Sequence, residues 1–174
     1  MDSKSLMKDI KKSPLFGSNE RHGMDFDDLD DYCQKSFMFP KRISVRKGCI
    51  IDKLTFIYDN LTCGHGGNGG AESNFNLQQD EHIIRVTGNF SRFANTYVIE
   101  SLRFYTDKGQ DMAFGTPRPG SNYFDYQAAK GNAICGLFGR SEQYLENIGF
   151  YEKPVDMSGM MPGKNPLDFK GFGK

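Results

Sequence analysis

The sequence predicts an all-β domain, and three observations predict it. Fifteen Phe and eight Tyr accompany 20 Gly in 174 residues, a mixture suited to pleated, half-buried surfaces joined by tight turns. No apolar run of 3.6-residue period extends along the chain. Turn signals recur roughly every eight to twelve residues, the spacing of sandwiches, barrels and prisms. One domain is expected at this length, with enough chain to bury a core without staples.

The elements follow in order. Residues 1–13 read as a flexible arm, because Met1–Lys12 is polar and lysine-rich. The domain is expected over residues 14–154, opening at Pro14-Leu15-Phe16 and turning at Gly17–Gly23. Asp25, Asp27, Asp28, Asp30 and Asp31 lack the glycine and closing Glu of a calcium loop, so a solvated acidic loop is expected. Strands are expected at Lys41–Lys47, where Ile43 and Val45 alternate with polar residues, and at Cys49–Tyr58, dense in β-branched and aromatic residues. Further strands are expected at Glu81–Gly88, Tyr97–Thr106, Met112–Phe114, Ala133–Phe138 and Tyr144–Tyr151. Thr116-Pro117-Arg118-Pro119-Gly120 reads as a rigid loop. Residues 155–174, with two Pro and four Gly, read as a tail.

Composition excludes several classes. Twenty-two acidic and 22 basic residues cancel, unlike the basic excess of a nucleic-acid binder. The four Cys show no CxxC spacing and only three His are present, so neither zinc nor any other cofactor is expected. Cys49 and Cys135 fall in apolar runs and read as small buried thiols. Met1–Lys12 has no apolar signal core, and no run approaches membrane-spanning length, so a cytoplasmic location without a membrane span is expected.

Gly64–Gly70 holds five glycines in seven residues. Such density serves positive φ or a close approach of something to the main chain. Ala71-Glu72 stands where a phosphate loop needs Lys-Ser/Thr, and no helix follows. Two readings remain: a plain hairpin loop, or exposed backbone that meets a polar ligand.

Six blocks in order resemble the jacalin-related lectins. Gly17–Asp28 resembles the family's opening glycine loop and FDD, and Ile43–Asp52 its G-x-x-x-D strand. His65–Gly70 matches HGGxGG, and Glu81–Gly88 matches E-x-I-x-x-V-x-G. Ser101–Lys108 is similar to SLxFxTNK with Asp107 for Asn, and Gly136–Gly149 to GFFGRSGxYLDAIG. The resemblance implies a β-prism I fold: three four-stranded antiparallel Greek-key sheets with approximate threefold symmetry. It also implies sugar bound in loops at one end, without a metal.

For such a ligand, a carboxylate accepts vicinal hydroxyls, amides donate to the same oxygens, and glycine lets backbone approach the ring. The resemblance implies a primary site at Gly23, Thr96, Tyr97, Gln143, Tyr144 and Glu146. Here Glu142 replaces the family's Gly and Glu146 its Asp, moving the carboxylate by roughly 1.5 Å. A second, pseudosymmetric site keeps both its parts: Asp52 as carboxylate, Gly48, Cys49 and Ile50 as the turn, and Gly69 and Gly70 as close-approach backbone. The intact pattern implies mannose- or glucose-type glycans or glycoproteins as partners. Millimolar affinity, about 4 kcal/mol, would call for avidity, for example in a homo-oligomer. The alternative is a β-prism that has lost sugar binding and serves as a protein-interaction module. No enzyme is expected: Asp52 and Glu146 fall in different symmetry-related loops, beyond the ~5–10 Å of a glycosidase pair.

Overall fold

The computed structural model describes residues 9–29 and 38–155. Asp30, Asp31 and Cys33 and most of the expected tail lie outside the described residues. In chain order the strands are β1 (Lys11–Lys12), β2 (Phe16–Gly17), β3 (Met24–Asp27), β4 (Arg42–Lys47), β5 (Ile51–Ile57) and β6 (Thr62–Gly66). They continue as β7 (Ala71–Asn76), β8 (Ile83–Phe93), β9 (Thr96–Thr106), β10 (Asp111–Phe114), β11 (Asn122–Gln127), β12 (Asn132–Ser141) and β13 (Leu145–Pro154).

Three antiparallel sheets form. One runs β6-β5-β4-β7, another β10-β9-β8-β11. In the remaining sheet β13 and β12 lie inside and β3 is one edge. Its other edge is an interrupted strand: β1 pairs with Glu152 and Tyr151, and β2 with Ile148 and Asn147. Each sheet is therefore a Greek key of four lines, an inner hairpin flanked by two outer strands that a crossing loop connects. In the sheet holding both ends of the described chain the outer strands come first and the hairpin last. The architecture is the three-sheet prism with approximate threefold symmetry.

The sheets turn their apolar faces onto one core. Val45, Leu54 and Phe56, then Val86, Leu102 and Phe104, then Leu137, Ile148 and Phe150 are all fully or almost fully buried. Aromatic rings join the sheets: Phe56 and Phe104 lie 6.3 Å apart, and Phe16 stacks on Phe124 at 4.8 Å. These contacts reward alternation, since every second residue of each strand faces inward.

Four expectations need correction. The glycine stretch is no hairpin loop: residues 67–70 cross from β6 to β7, opposite edges of one sheet, over the β4–β5 turn. The acidic segment is not a solvated loop where it is described. Met24–Asp27 pairs with β12, and Asp28 is buried against His65, with Oδ1 2.8 Å from Nε2. Phe26 stacks on that imidazole at 3.7 Å, so the histidine of HGGxGG ties the glycine loop to β3. The third correction concerns Cys49. It is exposed, because β5 begins only at Ile51 and Cys49 stands at the tip of the turn, whereas Cys135 is buried as expected. Finally, β6, β7 and β11 are strands in stretches read as loop or plain extended chain. They are polar edge strands with little apolar alternation to reveal them.

Candidate functional site

At one end of the molecule each inner hairpin carries a β-bulge beside its turn. Arg46 pairs with Lys53 but Lys47 with Ile51, which leaves Asp52 as the extra residue. Arg140 pairs with Asn147 but Ser141 with Leu145, which leaves Glu146. Asn89 pairs with Ser101 but Phe90 with Ile99, which leaves Glu100. A bulge re-aims the side chain it adds. All three bulges aim a carboxylate at the crossing loop.

The crossing loops are equivalent as well. Gly17, Gly66 and Gly115 leave the outer strands at φ +116°, +129° and +82°. Each lies against the backbone just at the bulge: Gly17 on Glu146 and Asn147, Gly66 on Asp52 and Lys53, Gly115 on Glu100 and Ser101. A Cβ on Gly115 would stand 2.6 Å from the Glu100 carbonyl oxygen. Asp52, Glu100 and Glu146 are thus the same position of the three Greek keys.

Their partners differ. Glu146, 6% exposed, accepts the Gly23 amide at 2.9 Å on Oε1. Glu100, fully buried, accepts the Arg118 amide at 3.2 Å on Oε1. Its Oε2 takes the Ser91 hydroxyl at 2.7 Å and the Arg118 guanidinium. Burial works against the charge of Glu100, yet the Ser91 hydroxyl and the Arg118 donors hold its carboxyl below the usual value. Asp52 is 7% exposed, and none of the described residues donates a hydrogen bond to its carboxylate. Burial pushes the Asp52 carboxyl up, and the Arg46 charge opposes this only in part.

The crossing loop explains why Asp52 is left open. The Arg46 guanidinium donates to the carbonyls of Asn68 at 3.2 Å, Gly69 at 3.0 Å and Gly70 at 2.8 Å, not to Asp52. The Gly67 amide donates to the Asp52 backbone carbonyl at 2.9 Å. The carboxylate itself faces Gly69 and Gly70, where a Cβ would stand 3.0 Å from Oδ1 and 2.6 Å from Oδ2. The Asp52 oxygens keep some contact with solvent, so a ligand can reach them. An ionised carboxylate in that position can accept two hydroxyl donors of a ligand.

The expected residues fall into two groups. Gly48, Cys49, Ile50, Asp52, Gly69 and Gly70 come together at the β4–β5 turn, where Gly48 faces the Gly70 Cα. Gly23 and Glu146 meet through their hydrogen bond, beside the turn carrying Gln143 and Tyr144. Thr96 and Tyr97 start β9, with Arg92 over the Tyr97 ring at 4.7 Å. Their hairpin reaches the 142–144 turn through Phe93, edge-on to Tyr144 at 5.5 Å. The same turn touches the neighbouring glycine loop, since the Gly67 Cα packs on the Gln143 backbone. Leu145 and Ile148 close the core.

Two residues escape sequence reasoning. Glu100 had a visible signal, a lone carboxylate inside the apolar run Val98–Leu102. Arg118, held between two prolines, had none that pointed to Glu100.

Comparison with known proteins agrees with the three-sheet fold. The family model described as "Jacalin-like lectin domain" matches residues 13–151. Horcolin of Hordeum vulgare subsp. vulgare is 31% identical over 120 residues, 64% of this chain and 80% of its own length. The mannose/glucose-specific lectin of Parkia pendula is 30% identical over 79 residues, 45% of this chain and 17% of that lectin. The solved structure of wild-type Malaysian banana lectin superposes with a TM-score of 0.66 at 25% identity, covering 83% of this chain and 98% of that one.

Proposed function

The chain belongs to the jacalin-like lectin family, and from that premise we propose that it binds mannose- or glucose-type glycans at the Asp52 position, without a metal. One observation carries the reading: of the three equivalent carboxylates, only Asp52 has no hydrogen-bond donor among the described residues, while Glu146 takes the Gly23 amide on one oxygen and Glu100 takes Arg118 and Ser91. Two vicinal hydroxyls of a hexose supply the donors that the Asp52 carboxylate lacks. The amides of Cys49 and Ile50 serve as donors to the same sugar oxygens. Gly69 and Gly70 carry no Cβ, which lets the crossing loop bring its main chain up to the Asp52 carboxylate beside the sugar. The mannose/glucose specificity of the Parkia pendula relative supports the ligand class.

A single open position per chain gives weak monovalent binding, on the order of millimolar. Useful avidity then comes from a second copy of the chain in a homo-oligomer.

The test is an amide NMR titration of the whole chain with methyl α-mannoside and methyl α-glucoside, wild type beside Asp52→Ala. Shifts at residues 48–52 and 66–70 are expected in the wild type and not in the variant. No shift anywhere at high millimolar sugar would overturn the reading. That outcome favours the second one, a β-prism that serves as a protein-interaction module, which the internal donors at Glu146 and Glu100 motivate.

A further inference from the structure

We propose that Cys49 is a thiol modification site whose occupation switches off ligand binding at the Asp52 position; this rests on the carbohydrate reading above. Cys49 is exposed, while Cys63 and Cys135 are 1% and 2% exposed. It stands at the centre of the turn that forms one wall of the site. Gly48 on one side faces the Gly70 Cα, where a Cβ on Gly48 would lie at 3.9 Å. Ile50 on the other side is buried, and its carbonyl accepts the Gly48 amide at 3.1 Å. The turn is closed on itself by that hydrogen bond and Ile50 is held in the core, so an adduct on Cys49 stays beside the Gly69–Gly70 loop.

A separate observation on the same turn points to a ligand. The Asp52 carboxylate is 7% exposed, takes no hydrogen bond from any described residue, and is aimed at Gly69 and Gly70. Covalent geometry then links thiol and ligand. A cysteine Sγ lies within about 4 Å of its own amide nitrogen. A hydroxyl held by that amide sits about 3 Å further on. The sulfur is thus within about 7 Å of a sugar oxygen bound there, and an adduct of peptide size overlaps the sugar.

The reaction is thiol–disulfide exchange with a low-molecular-weight disulfide, R–S–S–R. The Cys49 thiol loses its proton and attacks one sulfur. The external S–S bond breaks, a Cys49–S–S–R bond forms, and the leaving thiolate takes up the proton as RSH. Cys49 is oxidised, and half of the external disulfide is reduced. A thiol reductant reverses the step.

The probe is glutathione disulfide, applied to the whole chain in a Cys33→Ser background, with the modified residue identified by peptide mass. Methyl α-mannoside affinity is measured before treatment, after it, and after reduction with dithiothreitol. At least a tenfold loss on modification and full recovery on reduction are expected. Cys49→Ser, compared with itself before and after treatment, is expected to show no change. As a second readout, saturating mannoside is expected to slow alkylation of Cys49 by iodoacetamide several-fold. Unchanged affinity in a chain shown to carry the adduct, or alkylation indifferent to mannoside, would overturn the switch and leave the sugar reading standing. No mannoside binding by the untreated, reduced chain would overturn the sugar reading and the switch with it.

Discussion

The amide of Gly23 donates a 2.9 Å hydrogen bond to Oε1 of Glu146, so the opening loop and the closing turn satisfy each other. Both groups are of the kind that a sugar hydroxyl would otherwise engage. The extra methylene of Glu146 relative to Asp carries the carboxylate roughly 1.5 Å further. Glu146→Asp is therefore expected to release the amide and open a second binding position. Methyl α-mannoside titration of the variant should add shifts at Gly23 and residues 142–146, at a stability cost of about 1–3 kcal/mol for the lost charged hydrogen bond. A folded variant without new shifts would contradict this account of the position.

Gly70 tests the glycine loop. Its φ is +71°, and a Cβ there would lie 2.5 Å from the Lys47 carbonyl oxygen and 2.6 Å from Asp52 Oδ2. Gly70→Ala is expected to cost about 1–2 kcal/mol in backbone strain alone, and more from the overlap. Thermal unfolding should shift down by several degrees, and mannoside affinity should fall at least tenfold. An alanine variant of wild-type stability and affinity would show that the loop has more room than its geometry gives it.

On the proposed reading, the Asp52 carboxyl makes both stability and sugar binding depend on pH. Its folded pKa is raised, chiefly by burial, above an unfolded value of about 3.9. The folded state therefore holds the proton more tightly. The contribution to stability is fully present below about 3.9 and is lost as pH rises through the raised folded value. Sugar binding runs the other way, because only the ionised form accepts two hydroxyls, so affinity falls as pH drops through that value. Denaturant midpoints and mannoside titrations across this window, wild type against Asp52→Asn, should show opposite slopes in the wild type. A wild type whose stability difference from the variant stays flat would refute the assignment.

Arg118 holds a different kind of charge. Its guanidinium, 47% exposed, pairs with the fully buried Glu100. Breaking a buried pair by removing one partner costs about 3–5 kcal/mol. Solvent reaching the exposed arginine lowers the expected loss for Arg118→Ala to about 2–3 kcal/mol. Adding Glu100→Gln should restore part of it, as chemical denaturation would measure. A double variant weaker than the sum of the singles would mean that the pair is not what stabilises this corner.

Much of the fold was legible in the residues. Val45, Leu54, Val86, Phe104 and Phe150 sit in apolar or alternating runs, and all five are core residues. The edge strands β6, β7 and β11 were not legible, because a strand paired on one side and wet on the other needs no apolar period. Cys49 misled because it adjoins an apolar run, although that run begins only after the turn. At the candidate site, Asp52, Gly69 and Gly70 stood out by motif, and the resemblance put Gly23 and Glu146 in one site, whereas the hydrogen bond that joins those two and the pairing of Arg118 with Glu100 did not show. Gly23 lies 123 residues from Glu146 in sequence, and Arg118 lies 18 from Glu100. Neither hydrogen bond follows from the local sequence.

The sequence by itself determined that this is an all-β domain, that it holds a glycine-rich stretch at Gly64–Gly70 and a G-x-x-x-D pattern at Gly48–Asp52, and that a carboxylate occurs at Glu146. Its periodicity, turn residues and motifs are local properties, and local physics reads them. Only the tertiary structure decided which carboxylate is open. Three bulges put Asp52, Glu100 and Glu146 in one equivalent place. The loop crossing each bulge then sets the outcome: an amide at Glu146, an arginine at Glu100, and the bare Cα atoms of Gly69 and Gly70 at Asp52. The physical reason is that a buried carboxylate takes its donors from whatever chain passes over it, and that chain arrives by sheet register and crossing topology.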